Sequence, residues 1–227
     1  MSLRLSGTRL RQLFQGLYRA HGPQHWWPGD SPFEIMVGAI LTQNTAWTNV
    51  ERAIANLMAV DALDAERLLA LPEAQLARCL RPSGYFNLKA RRLRAFCRWY
   101  LERGGQRRLR YWPTARLRQA LLAVPGIGPE TADDILLYAF GRPVFVIDAY
   151  TRRLFARLGW IQGQEDYETL RAAVERALGA DARLYNEYHA LIVRHAKRLC
   201  RTRPQCGDCP LRGCRARDLN GPRTGRA

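Results

Sequence analysis

Hydrophobic residues recur along this chain at the spacing of amphipathic helices. Apolar positions at i, i+3, i+4, i+7 and i+8, or a close variant, begin at Leu10, Val50, Leu93, Ala132, Leu170 and Leu184. Strand-like alternation is scarce, because residues 143–148 are the only short β-branched run and stand too isolated to imply a sheet. The pattern therefore predicts an all-α fold in which proline and glycine mark the turns.

The opening segment allows two interpretations. Residues 1–20 are rich in arginine and have no acidic residue, a composition also found in organelle transit peptides. The apolar stripe that starts at Leu10 favours a first core helix instead.

Composition adds a strong positive charge to this helical picture. The formal net charge is +16, and residues 87–120 hold eleven basic residues against one acid, Glu102. Residues 194–227 hold ten basic and two acidic residues. Such a balance favours a polyanionic partner, nucleic acid first, with a merely solvated basic surface as the alternative. No apolar run approaches the roughly 20 residues of a membrane span, so no membrane partner is expected.

Four cysteines crowd the C-terminal region with the spacing C-x5-C-x2-C-x4-C: Cys200, Cys206, Cys209 and Cys214. Four thiolates so close in sequence can reach one centre, and soft sulfur ligands suit an iron–sulfur cluster or zinc. Structural zinc sites usually pair two C-x2-C units or add histidines, so a single C-x2-C favours a cluster. Two disulfides or unlinked thiols are the remaining alternative. A metal–thiolate site fits a reducing compartment, and we expect a cytoplasmic protein, associated with the nucleoid if it is bacterial.

Residues 117–140 predict two apolar helices around the turn VPGIG at 124–128. Gly126 and Gly128 let the backbone adopt positive φ and approach another group closely. The second helix is expected to start near Pro129, and its free N–H groups can hold a phosphate. An ordinary helix–helix turn is the alternative.

Asp148 precedes another amphipathic stripe, which runs from Tyr150 to Leu158. Aspartate is a good N-cap, and a carboxylate at a helix N-terminus stays ionised. Such a group can stabilise positive charge that develops on a sugar, or orient an attacking water. A purely structural cap is the alternative.

With these motifs the chain resembles the helix-hairpin-helix superfamily of DNA glycosylases, in particular its endonuclease III-like members. The likeness covers about residues 10–216 and includes ILTQNT at 40–45, SGYFNLKA at 83–90, VPGIGPETAD at 124–133 and FVIDAYTRRLFARLG at 145–159. It implies two helical domains with a DNA-binding cleft between them. One comprises residues 1–30 and 144–216, the other residues 31–143 with the hairpin, and residues 217–227 form a disordered tail. It also implies a [4Fe–4S] cluster on the four cysteines, whose outer spacings are each one residue shorter than is usual in the family.

The resemblance assigns roles to single residues. Asp148 matches the family's catalytic aspartate, and Glu130 stands where bifunctional members carry a nucleophilic lysine, so the chain looks monofunctional. Gln43 or Asn44 would fill the gap left by a flipped nucleotide, or serve as a helix cap or buried polar contact. Lys89 would be a structural or phosphate contact. The hairpin residues expected to bind DNA are Val124, Gly126, Ile127, Gly128 and Thr131.

Tryptophans near the ILTQNT segment indicate which base is removed. Indole faces stack an extruded base and favour a cationic one, and N-alkylated purines such as 3-methyladenine are cationic. The resemblance to the 3-methyladenine branch implies a base pocket formed by Trp26, Trp27, Pro28, Trp47, Glu130, Tyr150 and Lys197. Core packing of the tryptophans, and a surface or phosphate-contact role for Lys197, are the alternatives.

The sequence thus predicts a monomeric, monofunctional DNA glycosylase of base excision repair that acts on alkylated purines in damaged double-stranded DNA. A thymine- or uracil-mismatch glycosylase, or an oxidised-pyrimidine glycosylase of the endonuclease III type, is a second interpretation. A non-catalytic module that binds damaged DNA is a third.

Overall fold

The computed structural model describes residues 3–26, 29–211 and 214, and within these ranges it consists of helices and loops without a strand. The prediction of an all-α fold is confirmed. Trp27, Pro28 and residues 217–227 lie outside the described residues. The helices are α1 Gly7–His21, α2 Pro32–Leu41, α3 Trp47–Ala59, α4 Ala65–Ala70, α5 Glu73–Leu80, α6 Phe86–Glu102, α7 Gly105–Leu109, α8 Thr114–Leu122, α9 Pro129–Asp134, α10 Ala149–Arg157, α11 Tyr167–Leu178 and α12 Ala182–Arg198.

The chain divides into two compact units. Unit 1 consists of Met1–Trp26 and Pro143–Ala227, and unit 2 of Trp27–Arg142. Unit 1 therefore contains α1 and α10–α12, and unit 2 contains α2–α9. None of the described helices is both long enough and apolar enough to cross a bilayer.

The core of unit 1 forms where α1 and α10 pack against α12 and α11 packs against α1. Ser6 caps α1, and the apolar face of this helix is buried as the stripe from Leu10 predicts. Tyr188 of α12 is fully buried and donates its hydroxyl hydrogen to the carbonyl oxygen of Leu10 at 2.8 Å. The prediction of a first core helix is confirmed.

The core of unit 2 is built around α2, most of whose side chains are buried, including Met36 and Ile40. The helix starts at Pro32, and the Ser31 hydroxyl caps it by accepting a hydrogen bond from the amide of Glu34. Because α2 is surrounded on all sides, it can position the segment that follows it, residues 42–46.

The stripe that begins at Ala132 predicts one regular helix, and the structure differs. After α9 the chain continues as a wider π turn, Ile135–Ala139, in which every side chain is buried. A π turn places one extra residue in the helical turn, so side chains on all sides face the core. The period of hydrophobic residues carries no signal for this change, since residues 135–139 are apolar without interruption apart from the Tyr138 hydroxyl.

Candidate active site

Asp148 lies at the start of α10 in unit 1, as the sequence predicts. Its Oδ1 accepts a hydrogen bond of 2.7 Å from the amide of Thr151, which makes it the N-cap of the helix. Asp148 is only 8% exposed. A buried carboxylate needs compensation for the water it has lost, and one helix cap supplies only part of it.

A second partner for Asp148 comes from α12. His189 is also buried, and its Nε2 lies 3.4 Å from Oδ2 of Asp148. Burial acts to raise the pKa of Asp148, but the charge and hydrogen bond of His189 and the Thr151 amide outweigh it, so this pKa lies below its usual value. The carboxylate is therefore ionised at neutral pH.

The hairpin predicted at residues 117–140 is present in unit 2 as α8, a turn and α9, and α9 starts at Pro129 as expected. Val124 and Ile127 point into the core, whereas Gly126 and Gly128 are exposed. Gly126 has φ +91°, and a Cβ atom there would lie 2.4 Å from Cγ of Arg92. The turn thus exposes its backbone to solvent. Position 126 requires glycine because its φ is positive and because a Cβ atom there would collide with Arg92.

Gln43 ties the ILTQNT segment to this turn. Its Nε2 donates to the carbonyl oxygen of Gly126 and to Oγ1 of the buried Thr131, each at 3.0 Å. Its Oε1 accepts a hydrogen bond from Arg92. Asn44, the alternative gap-filling residue, is exposed and adopts a left-handed backbone with φ 55°. Of the two, Gln43 has its side-chain amide engaged by the hairpin and Asn44 is the more accessible.

An ion pair joins the two helices of the hairpin. The Arg118 guanidinium of α8 binds both carboxylate oxygens of Asp133 in α9, with Nε–Oδ1 at 2.6 Å and Nη2–Oδ2 at 3.1 Å. Asp133 is fully buried. A bidentate pair fixes both distance and orientation, so it holds the two helices in register behind the turn.

The phosphate-contact role of Lys89 is wrong for this structure. Lys89 is 1% exposed, and its Nζ donates to the carbonyl oxygens of Leu41 at 2.8 Å and Ser83 at 2.6 Å. Those carbonyls end α2 and lie in the 3₁₀ turn Arg81–Ser83, where intrahelical partners are lacking. Lys89 is thus an internal brace of unit 2, in agreement with the structural alternative.

The pocket candidates fall in both units. In unit 1, Trp26 is half-buried, Tyr150 is half-buried with the Arg153 guanidinium 5.1 Å from its ring centre, and Lys197 is exposed. In unit 2, Glu130 is exposed in the first turn of α9. Trp47 is half-buried at the start of α3 and covers Gly38, where a Cβ would meet its ring at 3.2 Å. This close approach gives Trp47 a packing role within unit 2.

The four cysteines surround one small cavity in unit 1, together with apolar side chains that include Leu154, Leu199 and Leu211. Among the described residues, no three histidine, cysteine or acidic side chains converge on a point that would hold one metal ion. Four cysteine sulfurs are a ligand set that both a structural zinc ion and an iron–sulfur cluster accept. Iron–sulfur clusters are held by cysteine thiolates, so the four cysteines that line this cavity are donors that fit such a group.

Two polar side chains, Arg157 and His195, lie beside these cysteines. Arg157 Nη1 lies 3.2 Å from the Cys200 sulfur and also donates to the carbonyl oxygens of Cys200 and Arg201. His195 Nε2 lies 3.7 Å from the Cys209 sulfur, and its Nδ1 lies 3.0 Å from Nε2 of His21. Burial and the neighbouring His21 lower the pKa of His195 to about 4. The neutral ring can orient a thiolate without adding a charge.

Several of these residues escape sequence reasoning. His189 and Arg92 reach their partners across long stretches of chain, and nothing near them in sequence indicates it. Arg118 and Asp133 do leave a signal, because a base and an acid stand at nearly equal distances on either side of Gly126.

Comparison with known proteins identifies relatives of this chain by sequence. A family model described as HhH-GPD superfamily base excision DNA repair protein matches residues 37–179. A Methanocaldococcus jannaschii protein named as a candidate DNA repair glycosylase is 44% identical over 88% of this chain and 93% of its own. Endonuclease III of Thermotoga maritima is 29% identical over 80% of this chain and 81% of its own.

Two solved structures of DNA repair enzymes are similar to this chain. The Helicobacter pylori 3-methyladenine DNA glycosylase MagIII bound to 1,N6-ethenoadenine has a TM-score of 0.73 and 30% identity over 85% of this chain and 98% of its own. An endonuclease III–DNA complex has a TM-score of 0.81 over 95% of this chain and 98% of its own. At 20% identity this second similarity shows the fold alone.

Proposed function

Because the chain belongs to the HhH-GPD superfamily of base excision DNA repair proteins, we propose that it is a monofunctional DNA glycosylase. It removes alkylated purines such as 3-methyladenine from damaged double-stranded DNA. The observation that carries this proposal is Asp148, a buried carboxylate kept ionised by His189 and the first turn of α10.

An ionised Asp148 acts on the sugar of a flipped nucleotide. As the N-glycosidic bond breaks, positive charge grows on the sugar, and a carboxylate in a site of low dielectric stabilises it. The same group orients the water that attacks C1′. A cationic alkylated purine is already a good leaving group, so one carboxylate supplies sufficient catalysis, and the product is an abasic site.

The lysines of the chain support hydrolysis over amine attack. Glu130 stands at the position of the nucleophile in bifunctional relatives, and the sequence has two lysines, Lys89 and Lys197. The amine of Lys89 is buried between two carbonyl groups, so it is not a free nucleophile. Lys197 is exposed at the end of α12 and serves in our proposal as a contact of the base pocket or of a phosphate.

The preference for an alkylated purine rests on the aromatic residues and on MagIII. That protein is crystallised with a modified purine base, and it is 30% identical in sequence to this chain. Trp26 and Tyr150 of unit 1 are half-buried aromatic residues, and aromatic rings favour a cationic base.

We also propose that the four cysteines bind a [4Fe–4S] cluster. Cys200, Cys206, Cys209 and Cys214 would hold it, and when bound the group organises the C-terminal loop. Arg157 and His195 orient the sulfurs. The enzyme acts as a monomer in the cytoplasm.

A panel of duplexes, each with a single lesion, tests the activity. Wild-type protein should release free base from 3-methyladenine duplexes and leave a site that alkali cleaves, with little release from thymine mismatches or oxidised pyrimidines. Asp148→Asn should bind the same duplex within about 2-fold of wild type and lose release by at least about 100-fold. Borohydride should trap no covalent complex.

Other outcomes decide between the alternatives. Preferential release of a mismatched thymine would show that the substrate is a mismatched pyrimidine and not an alkylated purine. Robust borohydride trapping that is lost on changing a lysine would contradict the monofunctional mechanism. Lesion binding without base release from any duplex would favour a non-catalytic module.

A further inference from the structure

Residues 103–116 of unit 2 form an exposed basic surface that the candidate active site does not use. Five arginines in this segment are exposed, and Glu102 is the nearest acid in sequence. We call this segment the α7 turn, and its arginines are Arg103, Arg107, Arg108, Arg110 and Arg116. The surface is distinct from the hairpin turn, which contains no arginine.

The backbone of the α7 turn is firmly held. Gly104 and Gly105 both have positive φ, 81° and 62°, which lets the chain reverse sharply after α6. The amide of Gln106 donates to the Tyr100 hydroxyl at 2.9 Å. Arg142 Nη2 donates to the carbonyl oxygens of Arg110 and Trp112 at 2.6 and 3.1 Å. The arginines therefore project from a fixed base.

Two of the guanidinium groups are held in place as well. Arg116 lies 4.1 Å from the ring centre of Trp112, and Arg110 lies 5.1 Å from that of Tyr111, which is 76% exposed. Such cation–π contacts reduce the conformational freedom of a long side chain before any partner arrives. A surface of this kind loses less entropy on binding an anion than a set of free arginines would.

Within the part of the chain that the structure describes, these five charges form no ion pair. The sequence holds twenty acidic residues, and elsewhere arginines pair with them, as Arg67 does with Asp61 and Arg171 with Glu175. In residues 3–26, 29–211 and 214, no carboxylate forms an ion pair with an arginine of the α7 turn. A cluster of positive charges of this kind favours a partner that carries closely spaced negative charge.

The position of the turn identifies that partner. Helix α8 starts at Thr114 beside this surface and ends at the hairpin turn, and its nine residues rise about 13 Å. That is the length of about four base pairs along a duplex. We propose that the α7 turn is a second DNA-contact surface, which binds the phosphodiester backbone of the duplex flanking the site gripped by the hairpin. The inference rests on the proposed function, since it needs DNA as the ligand.

The test compares two triple variants with the same loss of charge. In the first, Arg107, Arg110 and Arg116 become Gln; in the second, Arg52, Arg67 and Arg78, exposed on α3–α5 of the same unit, become Gln. Fluorescence anisotropy with an undamaged, labelled duplex gives the association constant from about 50 to about 200 mM KCl. Each lost phosphate contact lowers the slope of log K against log salt by about 0.9. The first variant should therefore lose about 2 to 3 from the slope, and the second less than about 1.

A third variant separates loss of contacts from damage to the fold. Replacing the same three α7-turn arginines by Lys keeps the charge and should restore most of the slope. Equal slopes for the two Gln variants would overturn the inference and leave the proposed glycosylase intact. Failure of wild-type protein to bind DNA would overturn both, whereas a slope lost in the Lys variant too would contradict the phosphate contacts.

Discussion

A buried carboxylate remains charged only where its surroundings stabilise the charge. Asp148 has two such neighbours, the Thr151 amide in its own helix and His189 from α12. The cap can be inferred from the sequence, because Asp before an amphipathic stripe is a standard N-terminal signal. His189 cannot, since its contact depends on how α10 and α12 pack. The side chain that we propose as catalytic is therefore predictable from sequence, whereas the group that adjusts its pKa is not.

Replacing His189 by Gln tests this adjustment. Its charge and hydrogen bond lower the pKa of Asp148 against the effect of burial, so their loss should raise that pKa. We expect base release in single-turnover assays to slow by about 10- to 100-fold, with duplex binding unchanged. The acid limb of the rate–pH profile should move to higher pH, a shift that a purely structural role of His189 would not produce.

The lowered pKa of Asp148 also makes the free energy of unfolding depend on pH. The folded-state pKa of Asp148 is depressed, so its stabilising contribution is present above the unfolded-state pKa of about 4 and is lost as the pH falls through the folded-state value. In His189→Gln the folded-state pKa rises towards the unfolded-state value, so the acid-induced loss of stability should be smaller and should be complete at a higher pH, as urea unfolding at a series of pH values would measure. An Asp148→Asn/His189→Gln double variant should be no slower than Asp148→Asn alone, because the two act as one unit.

Among the elements, the hairpin is the best predicted from sequence and also shows where such prediction stops. Pro129 and the two glycines give the turn and the start of α9 by local chemistry. The brace from Gln43 and Arg92 joins positions 49 residues apart, and no local pattern encodes it. Lys89 is wrong as a phosphate contact for a similar reason, because the carbonyl groups that bury it are contributed by tertiary packing.

The two hairpin glycines form a matched pair for experiment. Gly126→Ala combines a left-handed φ with a Cβ clash against Arg92, which also supports Gln43, whereas nothing lies within 4 Å of a Cβ at Gly128. We expect Gly126→Ala to destabilise the fold by about 1 to 3 kcal/mol and to weaken duplex binding at least about 10-fold. Gly128→Ala should preserve stability. Thermal unfolding and anisotropy check both, and equal stability of the two variants would show that the turn does not require the left-handed glycine.

At the scale of the whole molecule, two units of one chain have different means of stabilisation. Unit 2 is built on a buried helix, α2, and on internal braces such as Lys89 and the Arg118–Asp133 pair. In unit 1 the described residues that follow α12, 199–211 and 214, contain no helix, and they depend on Arg157 and on the cysteine-lined cavity. The cysteine spacing predicts a metal centre from sequence, whereas the roles of Arg157 and His195 around it need the fold.

This difference predicts how the molecule responds to loss of one thiolate. Metal binding in a loop of this kind contributes folding free energy directly, so Cys209→Ser should lose the visible absorption of an iron–sulfur protein, measured with iron and sulfide content. Hydrogen exchange should then rise around Cys200 and at the C-terminal end of α12, while α2 and α6 of unit 2 keep their protection.

Cys79→Ala is the matched control, because Cys79 lies in α5 of unit 2, far in sequence from the four clustered cysteines, and should retain the absorption. Bound zinc in wild-type protein without visible absorption would contradict the cluster, and equal loss of protection in both units would show that the centre stabilises the whole chain, not unit 1 alone.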